Sequence, residues 1–143
     1  MILNPEIWGP HYWFVLNTMA FNYPVKPNEV IKKKYYGFYS NLPLFMPIPE
    51  IGNEFAKLLD KYPVNIYLDS RKSLLRWTHF IHNKINTNLG KPNIDFNVFL
   101  ENYYNLYKPK AVKNIQQQQI RQRYAYLILI VFILIILILL YNK

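Results

Sequence analysis

Residues 71–92 read RKSLLRWTHFIHNKINTNLGKP, and this stretch decides the fold. Leu74, Trp77, Phe80, Ile81 and Ile85 recur at three- and four-residue steps, the period of one face of an α-helix. Asp69 or Ser70 is placed to cap its start, and Gly90 followed by Pro92 to stop it, so the spacing predicts a helix from about Arg71 to Leu89. Polar residues interrupt the apolar face: His82 and Asn86 lie one turn apart on one side, with Asn83 beside them. A polar stripe facing a helix bundle needs partners, because an unpaired buried amide costs ~1–3 kcal/mol. A bound nucleotide would supply them; solvation, or pairing among the side chains themselves, is the alternative.

Working outward, the pattern repeats in shorter helices divided by prolines. Asn4-Pro5 starts one that carries Trp8, Tyr12, Val15, Leu16 and Met19 to about Asn22. Pro27 opens a second through Val30, Ile31, Tyr35 and Phe38, ended by Leu42-Pro43 because the residue before a proline is pushed out of the helical region. After LPLFMPIPEIG, Phe55, Leu58 and Leu59 mark a third, ending near Tyr62-Pro63. Asp95 caps a fifth, Phe96 to Tyr107, with Phe99, Leu100, Tyr103 and Leu106 apolar. The best alternating segment, Val64 to Leu68, is too short and isolated to make a sheet. The class is all-α: four principal helices and a short fifth.

Tyr124 to Tyr141 reads YAYLILIVFILIILILLY, without a charge. At 1.5 Å per residue it covers roughly 27 Å, close to the ~30 Å of bilayer hydrocarbon, and Tyr124, Tyr126 and Tyr141 suit the interface. A small domain cannot surround a helix that is apolar on all sides, so a transmembrane helix is expected. Three segments follow: a helical domain over 1–107, a basic, Gln-rich connection over 108–123 that is either flexible or a downward extension of the membrane helix, and the span over 124–141. Only Asn142 and Lys143 follow, and Met1 to Pro10 has no signal-peptide pattern, which implies a tail-anchored protein. Lys108, Lys110, Lys113, Arg121 and Arg123 precede the span, and the positive-inside rule puts the folded part in the cytosol.

The chain carries 17 Lys/Arg against 8 Asp/Glu, a formal net charge of +9. A basic cluster beside a span favours anionic lipid over specific nucleic acid, for which no RNA- or phosphate-binding signature is present. There is no Cys in 143 residues. That excludes a disulfide, a thiolate nucleophile or a Cys-ligated metal within the chain, and no carboxylate pair or metal-ligand cluster accompanies His11 and His79, which read as surface or core polar residues. Redox chemistry, if any, must use a bound cofactor or a partner's thiols.

Three blocks, in this order, resemble the Erv/ALR family of FAD-linked sulfhydryl oxidases. The first is Trp8 to Ala20, WGPHYWFVLNTMA, followed by Tyr23-Pro24, similar to the family's WGxxxWxxLHxxAxxYP. The second is Leu42 to Gly52, where the family has PCxxC. The third is Trp77 to Pro92, similar to WxxxxHNxVNxxLGKP. The resemblance spans about residues 5–107 and implies an Erv/ALR-type four-helix bundle plus a short fifth helix that holds FAD. It implies a cofactor site of Gly9, Trp13, Asn17, Trp77, His82, Asn83, Asn86 and Lys91, with Lys84 as a second contact for the diphosphate. It further implies protein thiols or a cysteine-bearing oxidase as partners, homodimerisation in common with many members, and, for viral members, cytosolic action at host or virion membranes.

The departures matter as much. In the family, substrate dithiols reduce a cysteine pair beside the flavin, the pair reduces FAD, and dioxygen reoxidises it to give hydrogen peroxide. Here Ile48 and Ile51 stand at those positions, and isoleucine cannot exchange disulfides. Asn17 replaces the usual flavin-contacting histidine, and Phe96 a further cysteine. The implied protein keeps the flavin fold without its own relay, so its catalytic residues are none and its oxidase activity is impaired. A flavin-free, membrane-tethered scaffold or partner of an active oxidase is the alternative.

Overall fold

The structure, a computed structural model, describes residues 3–141. Met1, Ile2, Asn142 and Lys143 lie outside the described residues, and with them part of the signal-peptide and topology readings. Among the described residues six α-helices succeed one another: α1 (Pro5–Asn22), α2 (Glu29–Asn41), α3 (Pro49–Lys61), α4 (Arg71–Asn88), α5 (Phe96–Tyr107) and α6 (Lys110–Tyr141). Among the described residues there is no strand. The all-α class is therefore as the sequence implies, and Val64 to Leu68, the one strand-like segment, begins as a 3₁₀ turn, Val64–Tyr67.

Helix starts follow side-chain chemistry. Asn4 accepts from the Glu6 amide at 2.9 Å, Ser70 from Ser73 at 3.2 Å, and Asp95 from Asn97 at 2.7 Å and Val98 at 3.3 Å, each satisfying a donor that the first helical turn leaves free. The two amide bonds hold the Asp95 carboxyl below its ordinary range. Helix α2 begins two residues later than Pro27 suggests, because Asn28 is the better cap: its side chain accepts from Ile31 at 2.9 Å.

Gly90 ends α4 in the left-handed region, φ 67°. The Lys91 amide then donates to the Asn86 carbonyl at 2.8 Å and the Gly90 amide to Thr87 at 3.1 Å. That pair of bonds is a Schellman motif, and it is why Leu-Gly-Lys-Pro closes the helix.

The chain divides into two compact units, Met1–Phe99 and Leu100–Lys143, the division falling within α5. In the first unit α1 packs most closely on α4, burying Leu16, Ala20 and Tyr23 with Leu74, Trp77, Thr78 and Ile81. Three buried aromatic side chains place their polar tips on main-chain carbonyls: Tyr23 on Leu68 at 2.7 Å, Tyr39 on Leu16 at 2.9 Å and Trp77 on Tyr62 at 2.9 Å. Burial without such a partner would cost more than the rings gain. Gly52, in the first turn of α3, lies against the 3₁₀ turn Leu42–Phe45; a Cβ there would meet the Pro43 carbonyl oxygen at 2.6 Å.

In the second unit α5 stops at Tyr107 because Lys108 precedes Pro109, and α6 then runs unbroken for 32 residues. Residues 110–123 of the expected connection are thus helical. Helix α6 is the one helix among the described residues long and apolar enough to cross a membrane.

Candidate functional site

The site is built where α1 faces α4. Trp13, on the third turn of α1, lies flat on His82 of α4, ring centroids 3.9 Å apart and planes 9° from parallel. The edge of Phe55 from α3 meets the same indole at 6.5 Å, so Trp13 joins three helices. Burial first, and then electrostatic repulsion from the His79 and Lys91 side, lowers the His82 pKa to about 4. At neutral pH the ring is an uncharged imidazole with one donor and one acceptor.

One turn beyond Trp13, Asn17 is buried, 8% exposed, and its Oδ1 has no hydrogen-bond partner. An unpaired acceptor of this kind costs ~1–3 kcal/mol and calls for a donor from outside the chain. Gly9, two turns earlier on the same helix, has no atom within 4 Å of where a Cβ would sit. The bare backbone there leaves room that the protein itself does not fill.

The other half of the polar stripe is spent on the fold. Asn83 donates to the Ile94 carbonyl at 2.9 Å and accepts from the Ile94 amide at 3.0 Å, a two-bond clip that draws the 90–95 loop back onto α4. His79 Nε2 lies 2.7 Å from the same carbonyl. A carbonyl can only accept, so Nε2 carries the proton, and its 3.1 Å approach to Asn83 Nδ2 sets two donors side by side. The buried Asn86 reaches the Pro92 carbonyl at 3.5 Å. Pairing within the chain, the alternative that the sequence left open, thus accounts for Asn83, while the imidazole edge of His82 and the Asn17 oxygen remain for another group.

Trp77 is 1% exposed and edge-on to Tyr39 at 5.2 Å; it is a core residue with no face open to a ligand. Lys91 is exposed beyond the α4 stop, and Lys84 lies over the Phe80 ring at 5.3 Å. His11 is exposed. Ile48 caps α3 without a side-chain bond, and Ile51 follows in its first turn, both half-buried. The Tyr12 hydroxyl donates to the Phe45 carbonyl at 2.7 Å, tying α1 to the turn that leads into them. Phe96 packs its edge on His79 at 5.2 Å with Arg76 over its face at 4.7 Å. Among the described residues no group of His, Asp or Glu is arranged to hold a metal. The sequence reading missed the roles of Phe55, His79 and Ile94. The i, i+4 spacing of His79 and Asn83 was a signal for the last two; Phe55 had none.

For FAD the donor set is mixed but compatible. The orphaned Asn17 acceptor and the open space at Gly9 fit a polar, planar group. The Trp13–His82 contact does not admit a ring between the two, which would need roughly 7 Å, twice the ~3.5 Å of aromatic contact. A bound ring must lie on an outer face of the pair or part it.

Comparison with known proteins gives the family and the fold. The profile of the Erv1 / Alr family matches residues 10–105. The probable FAD-linked sulfhydryl oxidase of Acanthamoeba polyphaga mimivirus is 32% identical over 109 residues, 76% of each chain. The FAD-linked sulfhydryl oxidase ERV2 of Saccharomyces cerevisiae is 32% identical over 95 residues, 66% of this chain and 47% of its own length. Among solved structures, the yeast Erv1 core superposes with a TM-score of 0.67 at 26% identity, over 72% of this chain and 86% of that one.

Proposed function

The chain belongs to the Erv1 / Alr family, and from that premise we propose that it is a membrane-anchored member that keeps the FAD site but has lost the dithiol relay. One observation carries the reading: a chain without cysteine presents Ile48 and Ile51 at the start of α3. Neither can form a thiolate, a disulfide or an adduct with flavin. The chain therefore contributes no thiol nucleophile, and reducing equivalents must come from thiols of a partner.

The residues proposed to hold FAD are Gly9, Trp13, Asn17, Trp77, His82, Asn83, Asn86 and Lys91, in unequal roles. Trp13 and His82 offer flat, uncharged surfaces for a ring system, Asn17 offers an acceptor, and the Lys91 ammonium offers charge for a diphosphate. Trp77, Asn83 and Asn86 act indirectly, by fixing α4 and the loop that carries Lys91. When bound, FAD supplies a two-electron acceptor that dioxygen can reoxidise. In this reading the helical domain, 1–107, lies on the cytosolic side of a host or virion membrane, joined by 108–123 to the span 124–141. It serves as a partner or scaffold for a cysteine-bearing oxidase or its thiol substrates, alone or as a homodimer.

A flavin-free scaffold is the second reading, favoured by the direct Trp13–His82 contact. Flavin absorbance of the full chain purified in detergent separates the two. One FAD per chain supports the first; a colourless protein that also takes up no added FAD overturns it.

A further inference from the structure

Within the second unit, α5 and the first half of α6 enclose an open cleft of about 750 Å³. Its cations are Lys108, Lys113 and Arg123, its one acid is Glu101, and the amides of Asn105 and several glutamines line the space between. Gln116 and Gln117 lie one turn after Lys113, on the stripe of α6 that ends at Arg123. Arg123 immediately precedes Tyr124, where the uncharged stretch begins.

We infer that this cleft binds the headgroup of a phosphorylated inositol lipid. The inference rests on the membrane-anchor reading above, which sets Arg123 at the bilayer surface. Three cations against one carboxylate select an anion. The amides between them donate and accept, as a polyhydroxylated ring requires, and a purely diffuse attraction to lipid has no use for them. Lys113 stands ten residues above Arg123, about 15 Å along the helix, beyond the ~8 Å screening length of physiological salt. It gains little from the surface potential of a bilayer, so its place in the cleft suits a headgroup that carries phosphates outward from the glycerol rather than one whose charge stays at the surface. Lys110 and Arg121 lie on the same helix at similar heights but outside the cleft lining, and they serve as the internal control.

The full chain is reconstituted in phosphatidylcholine nanodiscs with a minority of phosphatidylinositol bisphosphate, or with phosphatidylserine at matched charge, and retention of labelled lipid is measured. The bisphosphate is expected to be retained over phosphatidylserine. Lys113→Gln with Arg123→Gln should weaken it by up to about five-fold per cation, Lys110→Gln with Arg121→Gln should change it little, and Glu101→Gln should strengthen it. Equal losses from the two pairs, or equal retention of phosphatidylserine, would mean diffuse attraction and overturn the inference. Tight binding of soluble inositol trisphosphate in detergent, with no gain from the bilayer, would overturn the lipid source. A chain released from membranes by carbonate sinks the anchor and the inference together, whereas a chain that resists carbonate yet loses equally from both pairs sinks the cleft alone.

Discussion

The imidazole of His82 rests on the indole of Trp13 at van der Waals contact, 3.9 Å between centroids, and that contact couples the charge state of one helix to the packing of another. A protonated His82 would have to stay in a half-buried place, poorer in water than the surface. Its pKa is lowered to about 4 by burial first and then by neighbouring positive charge.

Acid should therefore destabilise the helical domain through this residue. With the folded pKa near 4 and the unfolded value near 6.5, the unfolded chain binds the proton first. Stability is full above about pH 6.5, falls as the pH drops, and the loss is complete near pH 4. Roughly 2 kcal/mol is expected after discounting the shift for the ring's partial solvent contact. His82→Phe keeps a stacking surface and removes the titration. Urea midpoints across that interval should fall in the parent and stay flatter in the variant; parallel curves would remove His82 from the account.

Asn17→Leu separates the needs of the protein from those of a ligand. Removing an unpaired buried acceptor should leave the free protein as stable as the parent or more so, by about 1 kcal/mol. FAD affinity should fall about ten-fold, the cost of one hydrogen bond to a ligand. Calorimetry of free and loaded protein reads both changes. A destabilised free protein with unchanged FAD affinity would make Asn17 a purely structural residue.

Three glycines should respond with different signs to the same change. Gly52→Ala drives a Cβ toward the Pro43 oxygen, 2.6 Å away, and should cost about 1–3 kcal/mol as overpacking. Gly90→Ala forces alanine to φ 67° and should cost about 1–2 kcal/mol. Gly37, inside α2 with nothing within 4 Å of its Cβ position, should gain about 0.8 kcal/mol from helix propensity on becoming Ala. Thermal melts rank all three, and a stable Gly52→Ala would mean that the turn Leu42–Phe45 yields.

Ile48→Cys with Ile51→Cys tests what was lost. If the FAD site is otherwise complete, the double variant should gain dithiothreitol-dependent oxygen consumption well above the parent. Bound FAD without that gain would show that the defect extends beyond the two residues.

Two arginines near the middle of the span 124–141, Ile133→Arg and Ile136→Arg, should each cost ~2.5–3.5 kcal/mol of insertion and move the chain from the carbonate-resistant to the soluble fraction. Unchanged carbonate resistance would end the reading of 124–141 as a span.

Local signals carried the elements. Caps at Asn4, Ser70 and Asp95 and the stop at Gly90 were legible because each depends on residues within one turn. The division of labour on α4 was not. Periodicity places His82, Asn83 and Asn86 near one another, but it does not say that Asn83 will meet a main-chain segment eleven residues onward while His82 meets a ring from α1. For the same reason Trp77 reads as readily as a ligand platform as the core residue that it is, since only the arrival of Tyr39 and the Tyr62 carbonyl decides.

The clip between Asn83 and Ile94 has a last implication. A side-chain amide that answers both main-chain polar groups of one residue, Ile94, stands in for a missing strand partner, and only asparagine offers the donor and the acceptor at that reach. Aspartate lacks the donor, and glutamine is a methylene too long. The clip stabilises the closure of the 90–95 loop onto α4 whether or not the chain carries redox chemistry. The asparagine of the His-Asn pair is thus part of the architecture, and its presence alone does not imply activity.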